Sequence, residues 1–303
     1  MSILVVGSVA LDSITTPFGQ VDEILGGSAS YFSTSASFFT DVNLLAVIGE
    51  DFPQEHVDFL NSRNINLDGM MRVPGKTFRW RGRYEYDLNE AHTLDTQLNV
   101  FETFKPQLPE HYRQAEYVFL ANIDPDIQRE ALSQVSSPRL VACDTMNFWI
   151  EGKRDSLLRT LALVDILTVN EAEARQLAQE PNLVKAAAII RSYGPKTLII
   201  KRGEYGVLMF GEGSIFSAPA YPLEEVFDPT GAGDTFAGGF FGYLSATRNL
   251  TEENLRKAII FGTVMASFTV EKFSLDRLKE INYQEISDRF KKIKLLTQFA
   301  DLD

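Results

Sequence analysis

The chain has 303 residues, 45% of them hydrophobic and 23% charged, and its 29 basic against 41 acidic side chains leave a formal net charge of −12. That composition belongs to a soluble globular protein able to bury a core and excludes a disordered one. The acidic balance excludes a nucleic-acid surface, which needs clustered Lys and Arg, so an anionic ligand would have to be held locally, by backbone N–H groups, a helix end, a few cations or a metal ion.

The first apolar run, Ile3 to Val6, has no basic segment before it and stops too soon for a signal peptide, so it is read as a strand. It leads into Gly7-Ser8-Val9-Ala10-Leu11-Asp12, which lacks the glycines of a dinucleotide fingerprint. Further apolar runs follow at Leu44 to Ile48, Tyr117 to Leu120, Leu140 to Cys143, Ile166 to Val169 and Leu198 to Ile200. They are continuous rather than alternating, as in a parallel sheet covered on both faces. Helical stretches lie between them at Glu55 to Arg63, Asp126 to Val135 and Glu171 to Ala178. The sequence therefore predicts an α/β fold with a doubly wound, mostly parallel sheet flanked by helices. Polar residues follow the runs, in turn Asp12, Glu50 and Asp51, Asn122 and Asp124, Asp144, and Asn170. Ligands of open α/β sheets bind beyond the carboxyl ends of the strands, although Asp and Asn also start turns and cap helices.

Gly75-Lys76-Thr77 is not a P-loop, because five residues separate Gly69 from Gly75 and a strand pattern follows. That strand, Phe78 to Tyr86, alternates strictly, with charges on every odd position and aromatics on the even ones apart from Gly82, so it belongs to a different sheet with one apolar and one wet face. Its aromatic face, Trp80, Tyr84 and Tyr86 with a gap at Gly82, either covers a ligand or packs against a second copy of the chain. The single cysteine, Cys143, lies in an apolar run and reads as a buried thiol of a reducing compartment. Asn170 with Glu173 three residues on is a capping box at a helix start. Lys201-Arg202-Gly203-Glu204-Tyr205-Gly206 is a glycine-containing turn between two strands. From Thr251 onward the chain reads as helices, with Lys291, Lys292 and Lys294 on a solvated face. No run approaches the ~20 apolar residues that span a bilayer, so the expectation is a cytoplasmic protein without a membrane partner.

The most informative segment is Asp228-Pro229-Thr230-Gly231-Ala232-Gly233-Asp234-Thr235-Phe236, followed by apolar and small residues to Leu244 that suit a buried helix. Gly231 and Gly233 allow a sharp turn that brings backbone N–H groups to a ligand, and the helix N-terminus adds positive partial charge there. Such a pocket suits a phosphoryl group. Asp234, a carboxylate beside an anion site, needs a task such as accepting the proton of an attacking hydroxyl.

This segment, together with Gly26-Gly27, resembles the two signatures of the ribokinase-like (PfkB) carbohydrate and nucleoside kinases, and the similarity covers nearly the whole chain. The resemblance implies a single domain over 1–303 with a small β-sheet lid from roughly 12–25 and 76–101, and ATP with Mg²⁺ as cofactors. It implies Asp234 as the base and the N–H groups of Ala232, Gly233 and Asp234 as the anion hole formed with Gly231. Asp12, Gly26 and Gly27 would hold the acceptor, with Asn122 added as a further amide. Asn170 and Glu173 match an Asn-x-x-Glu motif that positions Mg²⁺ and the phosphates, often through water; Gly203 and Gly206 would line the nucleotide, with Lys201 or Arg202 for phosphate. Relatives bind a monovalent cation at the positions of Asp228 and Thr230, which points to K⁺. One departure concerns the fourth residue after Gly27, asparagine in many relatives and Tyr31 here. The expected activity is phosphorylation of a primary hydroxyl on a sugar, with an adenosine-type nucleoside kinase as the alternative and a non-catalytic kinase-fold binding module as a third reading. A phosphorylated acceptor would need a second anion site, available only if the face of Arg79, Arg81 and Arg83 turns inward. A homodimer through the lid completes the expectation.

Overall fold

The structure, a computed structural model, describes residues 2–89 and 91–300. Met1 and 301–303, the ends of the expected domain, and Glu90, within the expected lid, lie outside the described residues. The strands in chain order are β1 (Ser2–Val6), β2 (Ala10–Thr16), β3 (Gly19–Gly26), β4 (Asp41–Gly49), β5 (Ile65–Val73), β6 (Phe78–Tyr84), β7 (Ala91–Gln97), β8 (Tyr117–Leu120), β9 (Leu140–Asp144), β10 (Ile166–Asn170), β11 (Thr197–Lys201), β12 (Val207–Phe210) and β13 (Ile215–Ala218). Among the described residues, nine form one sheet in the order β13-β12-β11-β10-β9-β8-β1-β4-β5. Every neighbouring pair from β11 to β5 is parallel, and β12 and β13 are antiparallel. The chain runs from β1 outward to β4 and β5, then returns to build β8 to β11 on the other side. The winding therefore reverses between β1 and β8, where open α/β sheets leave a crevice.

Continuous apolar strands give this sheet two buried faces. Ile3 and Val5 of β1 join one core cluster, Leu4 and Val6 the other, as alternate residues of a strand must. The first cluster is covered by the helices Ser28–Ala36, Ala232–Thr247 and Glu252–Thr269. Their close approach depends on small residues. A Cβ on Gly238 would lie 2.3 Å from the Phe32 carbonyl oxygen, and one on Gly239 would lie 2.7 Å from Cγ of Met265. Phe32 in turn stacks on Phe119 of β8, ring centroids 4.2 Å apart, which fixes the helix pair on the sheet.

The remaining strands make a four-stranded sheet, β3-β2-β6-β7, in which only β2 and β6 run parallel. It occupies the place of the expected lid. The aromatic strand ends at Tyr84, so Tyr86 leaves the expected apolar face and is 87% exposed in a turn. β5 had no sequence signal because it is an edge strand whose polar residues alternate with partly buried ones.

Replacing Gly238 with alanine is expected to destabilise the protein by about 1–3 kcal/mol through overpacking against a backbone carbonyl that cannot rotate away. Urea unfolding followed by circular dichroism measures this; an unchanged midpoint would show that the helix pair has slack.

Candidate active site

The helix Ala232–Thr247 begins at Gly231, whose φ of 73° is left-handed. A side chain there would also strike Tyr31, whose ring carbons lie 2.4 Å from the position of a Cβ. The Ala232 N–H donates to the Pro229 carbonyl at 3.1 Å, so the turn itself uses one of the three expected amides. Among the described residues, the N–H groups of Gly233 and Asp234 have no protein acceptor. The expected set of three free amides is therefore corrected to two. Asp234 sits in the first turn of the helix, half-buried. Burial, then the charge of Asp144, raise its pKa above the ordinary aspartate range, and Lys201 opposes them.

Lys201, at the end of β11, donates from Nζ to Asp144 Oδ2 at 2.7 Å, with both side chains largely buried. Thr168 of β10 donates to the same oxygen at 2.8 Å, and the Thr145 N–H donates to the other at 2.7 Å. Sequence reasoning placed Asp144 only at a strand end; its pairing with a lysine 57 residues away leaves no local signal. The ammonium faces the glycine-rich turn, since a Cβ on Gly233 would come 2.9 Å from Nζ. Asn170 and Glu173 form the expected capping box: Asn170 Oδ1 accepts from the Glu173 N–H at 2.8 Å, and Glu173 Oε2 accepts from the Asn170 N–H at 2.7 Å. Burial raises the Glu173 pKa, Lys201 opposes it, and Asp144 and Asp234 add to it. One ammonium thus serves three carboxylates. Arg202 is turned aside, its Nε donating to Glu171 at 2.8 Å.

On the other side of the crevice, Asp12 of β2 is 5% exposed, and its Oδ2 accepts from the Gly27 N–H at 3.4 Å. A Cβ on Gly26 would lie 1.9 Å from that oxygen, so the glycine pair makes room for this carboxylate. Burial raises the Asp12 pKa to about 7, against the Gly27 hydrogen bond and with help from Asp228 and Asp234. Asn122 is less free than expected, its Oδ1 accepting from Trp149 Nε1 at 3.1 Å. Two tyrosines singled out in the sequence come close: Tyr31, four residues after Gly27, and Tyr84 from the aromatic face of the lid, whose hydroxyl accepts from Thr230 at 3.3 Å. Asp228 is fully buried and accepts from the N–H groups of Thr230 at 2.9 Å and Ser274 at 3.1 Å. These bonds give Asp228 a structural task, and the expectation of K⁺ gains no support from them.

The register of the lid sorts its side chains. Trp80 pairs with Asp12, so both share one face, whereas Arg79, Arg81 and Arg83 pair with Leu11, Ser13 and Thr15 on the other. Arg79 is bound there to Glu23 and Asp51 at 2.7 and 2.8 Å. The arginine face does not turn inward. At the lid tip, Asn89 reaches the Gly203–Gly206 turn, donating to Glu204 at 3.4 Å. Among the described residues no three His, Cys, Asp or Glu side chains converge to hold a metal directly, and no helix is long and apolar enough to cross a membrane.

Asp12 predicts a pH effect of definite sign. Its folded pKa lies above its ordinary value of 3.8, so between that value and about 7 the folded chain binds more protons than the unfolded one, and stability falls as pH rises. Asp12→Asn removes this penalty. The variant should unfold at a higher temperature than the parent at about pH 8, with the gain vanishing near pH 4; a gain independent of pH would contradict the assignment.

The chain matches the pfkB family carbohydrate kinase profile over residues 13–281. It is 32% identical over 260 residues to the cytidine kinase of Thermococcus kodakarensis, covering 83% of this chain and 91% of that protein. Its fold is similar to the nucleoside kinase of Methanocaldococcus jannaschii, with a TM-score of 0.77 at 20% identity over 96% and 98% of the two chains. It is also similar to a putative ribokinase II from E. coli in complex with ATP and Mg²⁺, with a TM-score of 0.78 at 16% identity over 96% and 99%. A family match over most of the chain, on a ribokinase-like fold with a glycine-rich turn at a helix start, makes this protein a phosphotransferase belonging to the pfkB family of carbohydrate kinases.

Proposed function

We propose that the protein transfers the γ-phosphoryl group of ATP to a primary hydroxyl of a neutral acceptor that carries a sugar unit, and that this acceptor is a nucleoside. The observation that carries the chemistry is the position of Asp234, whose raised pKa suits a base, beside two N–H groups without protein acceptors at a helix N-terminus. Asp234 takes the hydroxyl proton as the acceptor oxygen bonds to the γ-phosphorus and the bond to the β-phosphate oxygen breaks, releasing ADP. The N–H groups of Gly233 and Asp234 stabilise charge on the transferred group, and the Lys201 ammonium adds to the same field. Asp12, held by Gly26 and Gly27, orients the acceptor. Gly203 and Gly206 border the nucleotide.

The residues fit a divalent cation, because Asp144, Glu173 and Asp234 outnumber the one ammonium among them. Glu173 and Asp144 would hold Mg²⁺ through water. Held there, the ion would supply positive charge against that of the phosphates.

Neutrality of the acceptor is supported by Asp12, Asp228 and Asp234 around the pocket and by the outward arginine face of the lid. The nucleoside reading draws on Trp80, which lies in register with Asp12 and offers an indole beside it, and on the relative named cytidine kinase. A free sugar is the second reading, favoured by the carbohydrate designation of the family.

Asp234→Asn should lower kcat by about 10²–10⁴ while binding of an ATP analogue, measured calorimetrically, is retained. The parent should lose activity as pH falls through a value above the ordinary aspartate range, because the base must be ionised. A variant that keeps near-parental turnover would remove Asp234 from this role. In an ADP-release assay, cytidine and ribose should be accepted in preference to ribose 5-phosphate; preference for the phosphorylated sugar would refute the neutral pocket.

A further inference from the structure

Tyr31 is 1% exposed, and among the described residues its hydroxyl has no hydrogen-bond partner. The ring is fixed from two directions. Its backbone lies in the helix Ser28–Ala36, tied to the end of β1 through reciprocal bonds between Ser8 and Ser28, the Ser28 N–H donating at 3.0 Å and the Ser8 N–H at 3.3 Å. Its face packs on Gly231, where a Cβ would strike the ring carbons, so the ring lies against the turn that carries Asp234. After burial, the charges of Asp228, Asp12 and Asp234 push its pKa well above the ordinary tyrosine value, so the group stays a neutral donor. An orphaned donor at such a position is costly unless a ligand supplies the acceptor.

We propose that Tyr31 determines acceptor specificity by donating a hydrogen bond to one secondary hydroxyl of the acceptor's sugar unit, while that hydroxyl donates to the Asp12 carboxylate. A hydroxyl can donate and accept at once. A carbonyl or ether oxygen only accepts, and a C–H group does neither. The pair therefore selects hydroxylated sugars over their deoxy analogues, since an acceptor lacking that oxygen leaves both buried groups unpaired. This inference rests on the proposed function and extends it from a sugar-bearing acceptor to a particular hydroxyl on it.

The test compares the parent with Tyr31→Phe, which keeps the ring against Gly231 and removes only the hydroxyl. Steady-state kinetics are measured with cytidine, 2′-deoxycytidine, 3′-deoxycytidine, ribose and 2-deoxyribose. The parent should prefer the hydroxylated acceptor over one deoxy analogue by about 10² or more in kcat/KM. In Tyr31→Phe that ratio should fall by about tenfold, through a higher KM for the hydroxylated acceptor, with the KM for ATP unchanged and the unfolding temperature of the free protein equal or higher. An unchanged ratio would overturn the proposal while leaving the kinase reading intact. Equal losses with all acceptors together with a raised KM for ATP would also overturn it, by revealing a general disturbance of the site. If the parent phosphorylates none of the five compounds, the functional reading itself falls and takes this proposal with it.

Discussion

The arrangement at the carboxyl end of the sheet depends on the ion pair between Lys201 and Asp144. It joins β11 to β9 across β10, and Thr168 from the strand between adds a bond to the same carboxylate oxygen. Deleting one partner of such a buried pair leaves an uncompensated charge, so its two halves stand or fall together. A single ammonium cannot fully neutralise Asp144, Glu173 and Asp234, and the latter two are held less acidic than usual, first by burial and then by the neighbouring carboxylates. The fold thus stores a shortage of positive charge where the proposed function brings a metal ion and a phosphate chain.

A second constraint links this edge to the lid. Asp12 belongs to a lid strand, yet its carboxylate is received by Gly26 and Gly27, the last of which precedes the helix carrying Tyr31. The left-handed Gly231 then receives the Tyr31 ring. The Asp12 side and the glycine-rich turn are consequently in contact through glycine positions where a larger residue would not fit. The two signatures are far apart in the chain but pack as one unit.

Much of this was legible in the sequence, for physical reasons that differ by segment. Strands buried on both faces leave continuous apolar runs, so Tyr117–Leu120 could be delimited at both ends, whereas the edge strand Ile65–Val73 left no such mark. The capping box at Asn170 and the turn before Ala232 were readable because they are local in sequence. What was not readable is convergence over long separations: Asp144 with Lys201, Tyr84 with Thr230, and the indole of Trp149 on Asn122. The donation of the Ala232 N–H to Pro229 was hidden for a different reason, since it depends on turn dihedrals that several residue sets can adopt.

The polar contacts of the lid with the body include two long ones, Tyr84 on Thr230 and Asn89 on Glu204 at 3.3 and 3.4 Å, and two short ones, Arg79 on Asp51 at 2.8 Å and the Ser274 hydroxyl donating to the Leu25 carbonyl at 2.6 Å. The first two are long for hydrogen bonds, and the one at Glu204 is exposed to water that can replace either partner. Loosening the two long contacts costs little free energy, whereas the Arg79–Asp51 pair and the buried Ser274–Leu25 bond keep the other part of the four-stranded sheet fastened to the nine-stranded scaffold.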